Sequence, residues 1–321
     1  MKLASLNDGS RDGQLVVVSR DLVSAHYATG IADHLQQVLD DWNFMSPQLQ
    51  DLSDTLNQGK TRHAFAFDPR LCHAPLPRAH LLVAGDAFAR FDAIARPADP
   101  TVHLRLAFSD QLSGACQPMR CANARQGLDF EAALAVVTGD VAQAVTPEQA
   151  LGGVRLLMLA SHVQLRALQT ASGEPLSSVP QTAFSPVAVT PDELVWGSDS
   201  AWVGGRLGLT LQCTVNGRKL GLCDAGQDMR QHFGQLIAAL CQTRRLHAGA
   251  IISSGEVRNH DSSRGSSSLA ARRALELQQH GAAKTPWLGH GDSVRIEVKG
   301  RDGQSVFGAI EQQVLAADAG Q

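Results

Sequence analysis

The sequence predicts an α+β fold dominated by antiparallel strand pairing. Two turn signals flanked by β-rich runs, Asn216-Gly217 and Asp302-Gly303, read as hairpins. Strand-like and helical runs do not alternate regularly, which argues against a doubly wound nucleotide fold. A proline-rich stretch, "DPRLCHAPLPRAH" (Asp68 to His80), divides the chain into a small N-terminal domain, 1–75, and a larger one, 76–321.

The elements follow in order. "MKLASL" and "QLVVVS", joined through Asp12-Gly13, predict a hairpin. Ile31, Leu35 and Leu39 carry one amphipathic helix, and Leu49, Leu52 and Leu56 a second, which Gly59 stops. In the larger part, "FEAALAVV" and "RLLMLASHVQL" are strand-like. Thr146-Pro147-Glu148 is a helix start, with an N-cap hydroxyl and proline in the first turn. Asp228 is positioned to cap a helix whose buried side is Met229, Phe233, Leu236, Ile237 and Leu240. "SSRGSSS" (Ser262 to Ser268) reads as a mobile loop.

Composition excludes several functions. With 321 residues and 44% hydrophobic content, the chain can bury a large core. A net charge of -3 and scattered basic residues argue against a nucleic-acid partner. No run approaches the ~20 apolar residues of a membrane span, and the N-terminus lacks the apolar segment of a signal peptide. The six cysteines form no CxxC pair, so we expect reduced thiols and a cytoplasmic protein. "VGGRLG" near Val203 follows no strand and opens no helix, so it is discounted as a dinucleotide motif.

The run "LDFEAALAVVTGD" poses the chemical question. Alternation places Phe130, Ala132, Leu134 and Val136 on one face, and Glu131 with Ala133 on the other. Glu131 is a lone carboxylate in an apolar strand.

That run, with "TAFSPVAVTPDEL", "AGAIISSGEVRNHD", "HGDSVRIEV" and "SVFGAIEQQV", strongly resembles the fumarylacetoacetate hydrolase family, in its long bacterial form. The resemblance implies a small N-terminal α/β domain, a C-terminal mixed β-roll and a homodimer. It implies metal-assisted cleavage of a carbon–carbon bond in a β-diketo acid, or related chemistry on 2-oxo acids. A divalent ion, usually Mg²⁺, would chelate the enolate oxygens and stabilise their charge.

Carried over by residue, the resemblance makes Asp110 the first metal carboxylate and Glu131 the next. The second member of the Glu-x-Glu pair is replaced by Ala133, and the last ligand, an aspartate in relatives, by His162. The family lysine falls on Val179, the threonine on Glu256 and the catalytic-side glutamate on Ala271. The loop between Arg166 and Ser177 reads as shorter than in relatives. A site missing two of four carboxylates would hold Mg²⁺ poorly. Glu256 would repel an anionic ligand by on the order of 4 kcal/mol at ~4 Å in a medium of effective dielectric ~20.

The sequence therefore leads to a small-molecule enzyme with repurposed, non-magnesium chemistry on an oxo acid or β-diketone. His162 and Glu256 are its candidate acid–base groups. It is expected to use no cofactor, or else an atypical divalent metal (Mn, Fe or Zn) on Asp110, Glu131 and His162. Other readings stay open. His162 as a cation could neutralise Glu131 or Asp110; Glu256 could simply pair with Arg258; the protein could be an inactive homologue serving as a partner or binding subunit. An ordinary Mg²⁺-dependent hydrolase fits least.

Overall fold

The computed structural model describes residues 1–88, 101–110, 112–121, 123–169 and 176–316. The loop between Arg166 and Ser177 lies partly outside the described residues. The strands, in chain order, begin with β1 Lys2–Leu6, β2 Gln14–Val18, β3 Ser24–Tyr27 and β4 Phe65–Ala66. Next come β5 Leu81–Gly85, β6 Leu104–Ala107, β7 Leu112–Ser113 and β8 Met119–Cys121. The long central pair is β9 Leu128–Thr138 and β10 Val154–Leu165, followed by β11 Gln181–Phe184 and β12 Ala188–Val189. Four two-residue strands, β13 Val195–Trp196, β14 Asp199–Ser200, β15 Trp202–Val203 and β16 Arg206–Leu207, form two small ribbons. The last are β17 Thr210–Val215, β18 Arg218–Asp224, β19 Ala250–Glu256, β20 Ser293–Val298 and β21 Ile310–Ala316. The helices are α1 Leu35–Asp40, α2 Trp42–Asn57, α3 Pro147–Leu151, α4 Phe233–Leu240 and α5 Leu269–His280. None of the described helices is long and apolar enough to cross a membrane.

The architecture is the expected α+β, built on one large sheet in the order β4-β3-β2-β1-β12-β10-β9-β19-β5-β6. The N-terminal hairpin extends the sheet of the larger part through the β1–β12 pairing, Lys2 opposite Val189. A second sheet runs β18-β17-β20-β21-β8.

Every residue of β9 is buried, because both faces of the large sheet are covered. Phe130, Ala132, Leu134 and Val136 join the core that contains Phe233, Leu236 and Ile237 of α4. Ala133, Ala135 and Val137 join the core under Leu35, Leu39, Leu49 and Leu56 of α1 and α2.

Most expected elements form, and the differences have local causes. Asn216 and Gly217 both take positive φ, as a two-residue hairpin between β17 and β18 requires. Thr146 caps α3 in a reciprocal capping box with Gln149. The first helix begins at Leu35, so Ile31 precedes it. Asp228 caps no helix: its carboxylate accepts from the His260 amide at 3.0 Å, and His232 is the N-cap of α4. Strands β20 and β21 pair, but Asp302-Gly303 sits in a longer excursion closed by the Lys299–Ser305 bridge. The serine run is not a surface loop along its whole length. Ser266, Ser267 and Ser268 are buried, and Ser268 caps α5 by accepting from the Ala271 amide at 3.0 Å.

Candidate functional site

Strands β9 and β10 pair antiparallel along their length. Their register sets Glu131 opposite His162 and Asp129 opposite Gln164. Period-two geometry then gathers Asp129, Glu131, His162 and Gln164 on one face. Arg166 follows directly after β10 and reaches the same two carboxylates.

Strand β19 flanks β9 on the other side. A bulge between Ser253 and Glu256 sets Ser253 against Ala135 and Glu256 against Ala133. Gly255, within the bulge, has φ +72°, and a Cβ there would stand 2.1 Å from the Gly85 carbonyl oxygen. Only glycine fits that kink. The extra residue returns Glu256 to the face that carries Glu131.

These side chains form a buried network of three carboxylates and three guanidiniums. Arg166 Nη2 lies 2.7 Å from Asp129 Oδ2 and 3.1 Å from Glu131 Oε1. Arg166 Nε also donates to Asp129 Oδ2 at 2.9 Å. Glu131 Oε2 accepts from Arg105 Nη2 at 3.3 Å and from Gln164 Nε2 at 3.1 Å. Glu256 pairs with Arg258 and accepts from Ser268 Oγ at 2.5 Å. Asp129 further accepts from the neighbouring Phe130 amide and from the amides of Leu269 and Ala270 in the first turn of α5. Burial raises its pKa, against the pull of Arg166 and these amides.

Glu131 shows the balance of opposing effects. Burial alone would raise its pKa, but Arg166 and Arg105 overcome it and hold the carboxyl down at about 2. His162 is held the other way. Its Nε2 lies 2.8 Å from Ser253 Oγ and its Nδ1 3.1 Å from Thr182 Oγ1. Burial, with Arg105 nearby, lowers its pKa to about 4, against the attraction of Glu131. Near pH 7 His162 is therefore a neutral imidazole between two hydroxyls. The groups in contact with Glu131 are the guanidiniums of Arg166 and Arg105, while His162 faces the two hydroxyls.

The strand register brings Glu131, His162 and Glu256 onto one face, and Asp110 makes no metal-holding group with them. Asp110 is exposed and lines a cavity of about 510 Å³ with Arg11, His73 and Arg78. Among the described residues, no three histidine, cysteine, aspartate or glutamate side chains form a metal-holding group. The expected set Asp110, Glu131 and His162 is thus not assembled. The residues present do not fit a divalent ion: both Glu131 oxygens are engaged by cations or amides, Ala133 contributes a methyl group, and both His162 nitrogens face hydroxyls. Val179 is half-buried ahead of β11, and Ala271 is buried in the first turn of α5.

Sequence reasoning missed Asp129, Gln164, Arg105 and Arg166. A signal existed for three of them. The period-two reading applied to Glu131 also places Asp129 beside it, and "HVQLR" places His162, Gln164 and Arg166 at alternate positions. Arg105 lies on β6, distant in sequence, and carries no such signal.

Two family models match the chain: fumarylacetoacetase N-terminal domain 2 over residues 1–78, and fumarylacetoacetate (FAA) hydrolase C-terminal over residues 78–315. No curated protein matches it. Solved structures share the fold across the chain. A fumarylacetoacetate hydrolase from psychrophilic Exiguobacterium antarcticum superposes with TM-score 0.68 at 18% identity, covering 99% of this chain and 100% of that one. Maleylpyruvate hydrolase from Sphingobium sp. SYK-6, in complex with manganese(II) and pyruvate, gives 0.67 at 17% identity, over 99% and 100%. A 5-carboxymethyl-2-hydroxymuconate delta-isomerase from Mycobacterium smegmatis gives 0.63 at 15% identity, over 100% of both chains.

Proposed function

The chain belongs to the fumarylacetoacetate hydrolase family, and from that premise we propose that it acts on an oxo acid or β-diketone-like small molecule without a divalent metal. Guanidinium charge takes the electrostatic part of the ion. The observation that carries this reading is the engagement of Glu131 by Arg166, Arg105 and Gln164. A cation held at fixed distance stabilises negative charge developing on an enolate oxygen, as a metal does, provided it reaches the ligand. Arg105 is the most exposed of the three, at 36% for its side chain against 12% for Arg166 and 17% for Arg258. It is the group assigned to the ligand, sharing its hold on Glu131 with an incoming carboxylate or enolate oxygen.

The same geometry limits acid–base chemistry. A general base works best with a pKa near the working pH. His162 at about 4 and Glu131 at about 2 lie well below it. Electrostatic stabilisation therefore carries the proposed reaction, with His162 held between the hydroxyls of Ser253 and Thr182. A second reading, ligand binding without turnover, is favoured by these low values.

The test is a panel of oxo acids and β-diketones with chelator-treated protein. Turnover that survives chelation and is lost in Arg105→Ala supports the first reading. A ligand-induced rise in Tm without turnover selects the second. Turnover only with added Mg²⁺ or Mn²⁺ overturns both.

A further inference from the structure

Away from the arginine–carboxylate network, one buried charge has no part in the chemistry above. The chain has five lysines. Lys60, Lys219, Lys284 and Lys299 are exposed, whereas Lys2 is only 4% exposed. Lys2 opens β1 and reaches across to the segment before β21. Its Nζ donates to the carbonyl oxygens of Val306 at 2.7 Å and Ser305 at 3.1 Å. An ammonium has three N–H groups, so one remains beyond these two contacts. Lys2 also lines a cavity of about 220 Å³, whose other charged and aromatic walls are Arg20, Asp192, Glu193, Trp196 and Asp302.

The walls of that cavity are organised. Arg20 Nε lies 3.2 Å from Glu193 Oε2, and Trp196 Nε1 donates to Asp302 Oδ2 at 3.3 Å. The charged groups acting on Lys2 are Glu193, Asp302 and Asp21, which favour the ammonium, and Arg20, which disfavours it. Burial outweighs all of them and brings the amine down to about 8. The volume is below the ~300–1,000 Å³ of pockets for drug-sized ligands, so the cavity suits a molecule of a few heavy atoms.

We propose that Lys2 is a carbonyl-capturing lysine: its cavity admits a small 2-oxo acid, whose carboxylate meets Arg20 and whose carbonyl condenses with Nζ to a Schiff base. The neutral amine adds to the carbonyl carbon and forms the C–N bond. The former carbonyl oxygen then leaves as water, carrying both protons from the nitrogen, and a C=N bond remains. The step needs no oxidant or reductant. It is independent of the chemistry assigned to the arginine network.

The test uses the full chain with glyoxylate and cyanoborohydride near neutral pH, with adducts located by peptide mass spectrometry. About a tenth of an amine with pKa near 8 is neutral at pH 7, against roughly one in a few thousand for an ordinary lysine. Steric protection offsets part of this, so the adduct on Lys2 is expected to form on the order of tenfold faster than at the four exposed lysines. Fragmentation separates it from an adduct on the Met1 amine. Arg20→Gln should slow trapping of glyoxylate but not of acetaldehyde, which has no carboxylate. Lys2→Arg keeps a cation for the two carbonyls, so it should fold, with a Tm close to the parent's, and form no adduct at position 2. Lys2 left unmodified, or modified no faster than the exposed lysines, overturns the proposal. Equal trapping of glyoxylate and acetaldehyde overturns the assignment to a 2-oxo acid.

Discussion

Replacing Arg166 by methionine keeps much of the side chain's volume and deletes its charge. Asp129 loses its contacts at 2.7 and 2.9 Å, and Glu131 its contact at 3.1 Å. Neither carboxylate can escape to water, since their side chains are 0% and 5% exposed. Removing one partner of a buried pair costs about 3–5 kcal/mol, because the remaining charge is left desolvated. Asp129 keeps three backbone amides and Glu131 keeps Arg105 and Gln164, so the loss should fall within that range rather than double it. With an unfolding entropy of about 2.1 cal/mol/K per residue over 321 residues, each kcal/mol is worth about 1.5 °C, so Tm should fall by roughly 4–8 °C. Differential scanning calorimetry of parent and Arg166→Met at several pH values is the assay. The deficit should shrink on acidification, because protonated carboxyls no longer need the cation. A Tm change of only a degree or two, or a deficit unchanged between alkaline and acidic buffer, would refute the argument that Arg166 neutralises this pair.

Other outcomes follow from the same geometry. His162 has a lowered pKa in the fold, so its contribution is fully present above the unfolded value of about 6.5 and is lost as pH falls toward about 4. The loss amounts to about 3 kcal/mol at ~1.4 kcal/mol per pKa unit, and His162→Gln should flatten the stability curve across that window in denaturant titrations. Ser268→Ala removes both the cap of α5 and a hydrogen bond to Glu256; urea unfolding should report a loss of about 1–2 kcal/mol. Ala133→Glu would add a carboxylate beside Glu131 and opposite Glu256. It should destabilise the metal-free protein by several kcal/mol, on the order of the ~3–5 of an uncompensated buried charge, and Mn²⁺ should raise the Tm of this variant but not of the parent.

Much of the fold was legible because its signals are local. The Asn216-Gly217 turn, the Thr146 cap and the alternation along β9 each depend on a few adjacent residues, and the structure realises each of them. Asp228 and His232 show the limit of such signals. Both residue types can receive an amide, and the tertiary contact to His260 decides which is left to cap α4. Burial of the serine run was hidden for a similar reason. Serines read as surface until their hydroxyls find buried acceptors, as Ser267 does at Val257 and Ser268 at Glu256. In the candidate site, alternation identified Glu131 and the methyl beside it. It did not show that Glu131 and Glu256 would meet arginines, since Arg105 and Arg258 arrive from β6 and from beyond β19. The bulge at Gly255, which aims Glu256 at that face, depends on contact with Gly85 and has no sequence period.

The central claim is that guanidinium charge stands in place of a divalent ion beside Glu131. Titration of the chelator-treated protein with Mn²⁺, followed by electron paramagnetic resonance, tests it directly. The Mn²⁺ signal should stay that of the free aqueous ion through stoichiometric addition. Stoichiometric loss of that signal, abolished by Glu131→Ala, would contradict it.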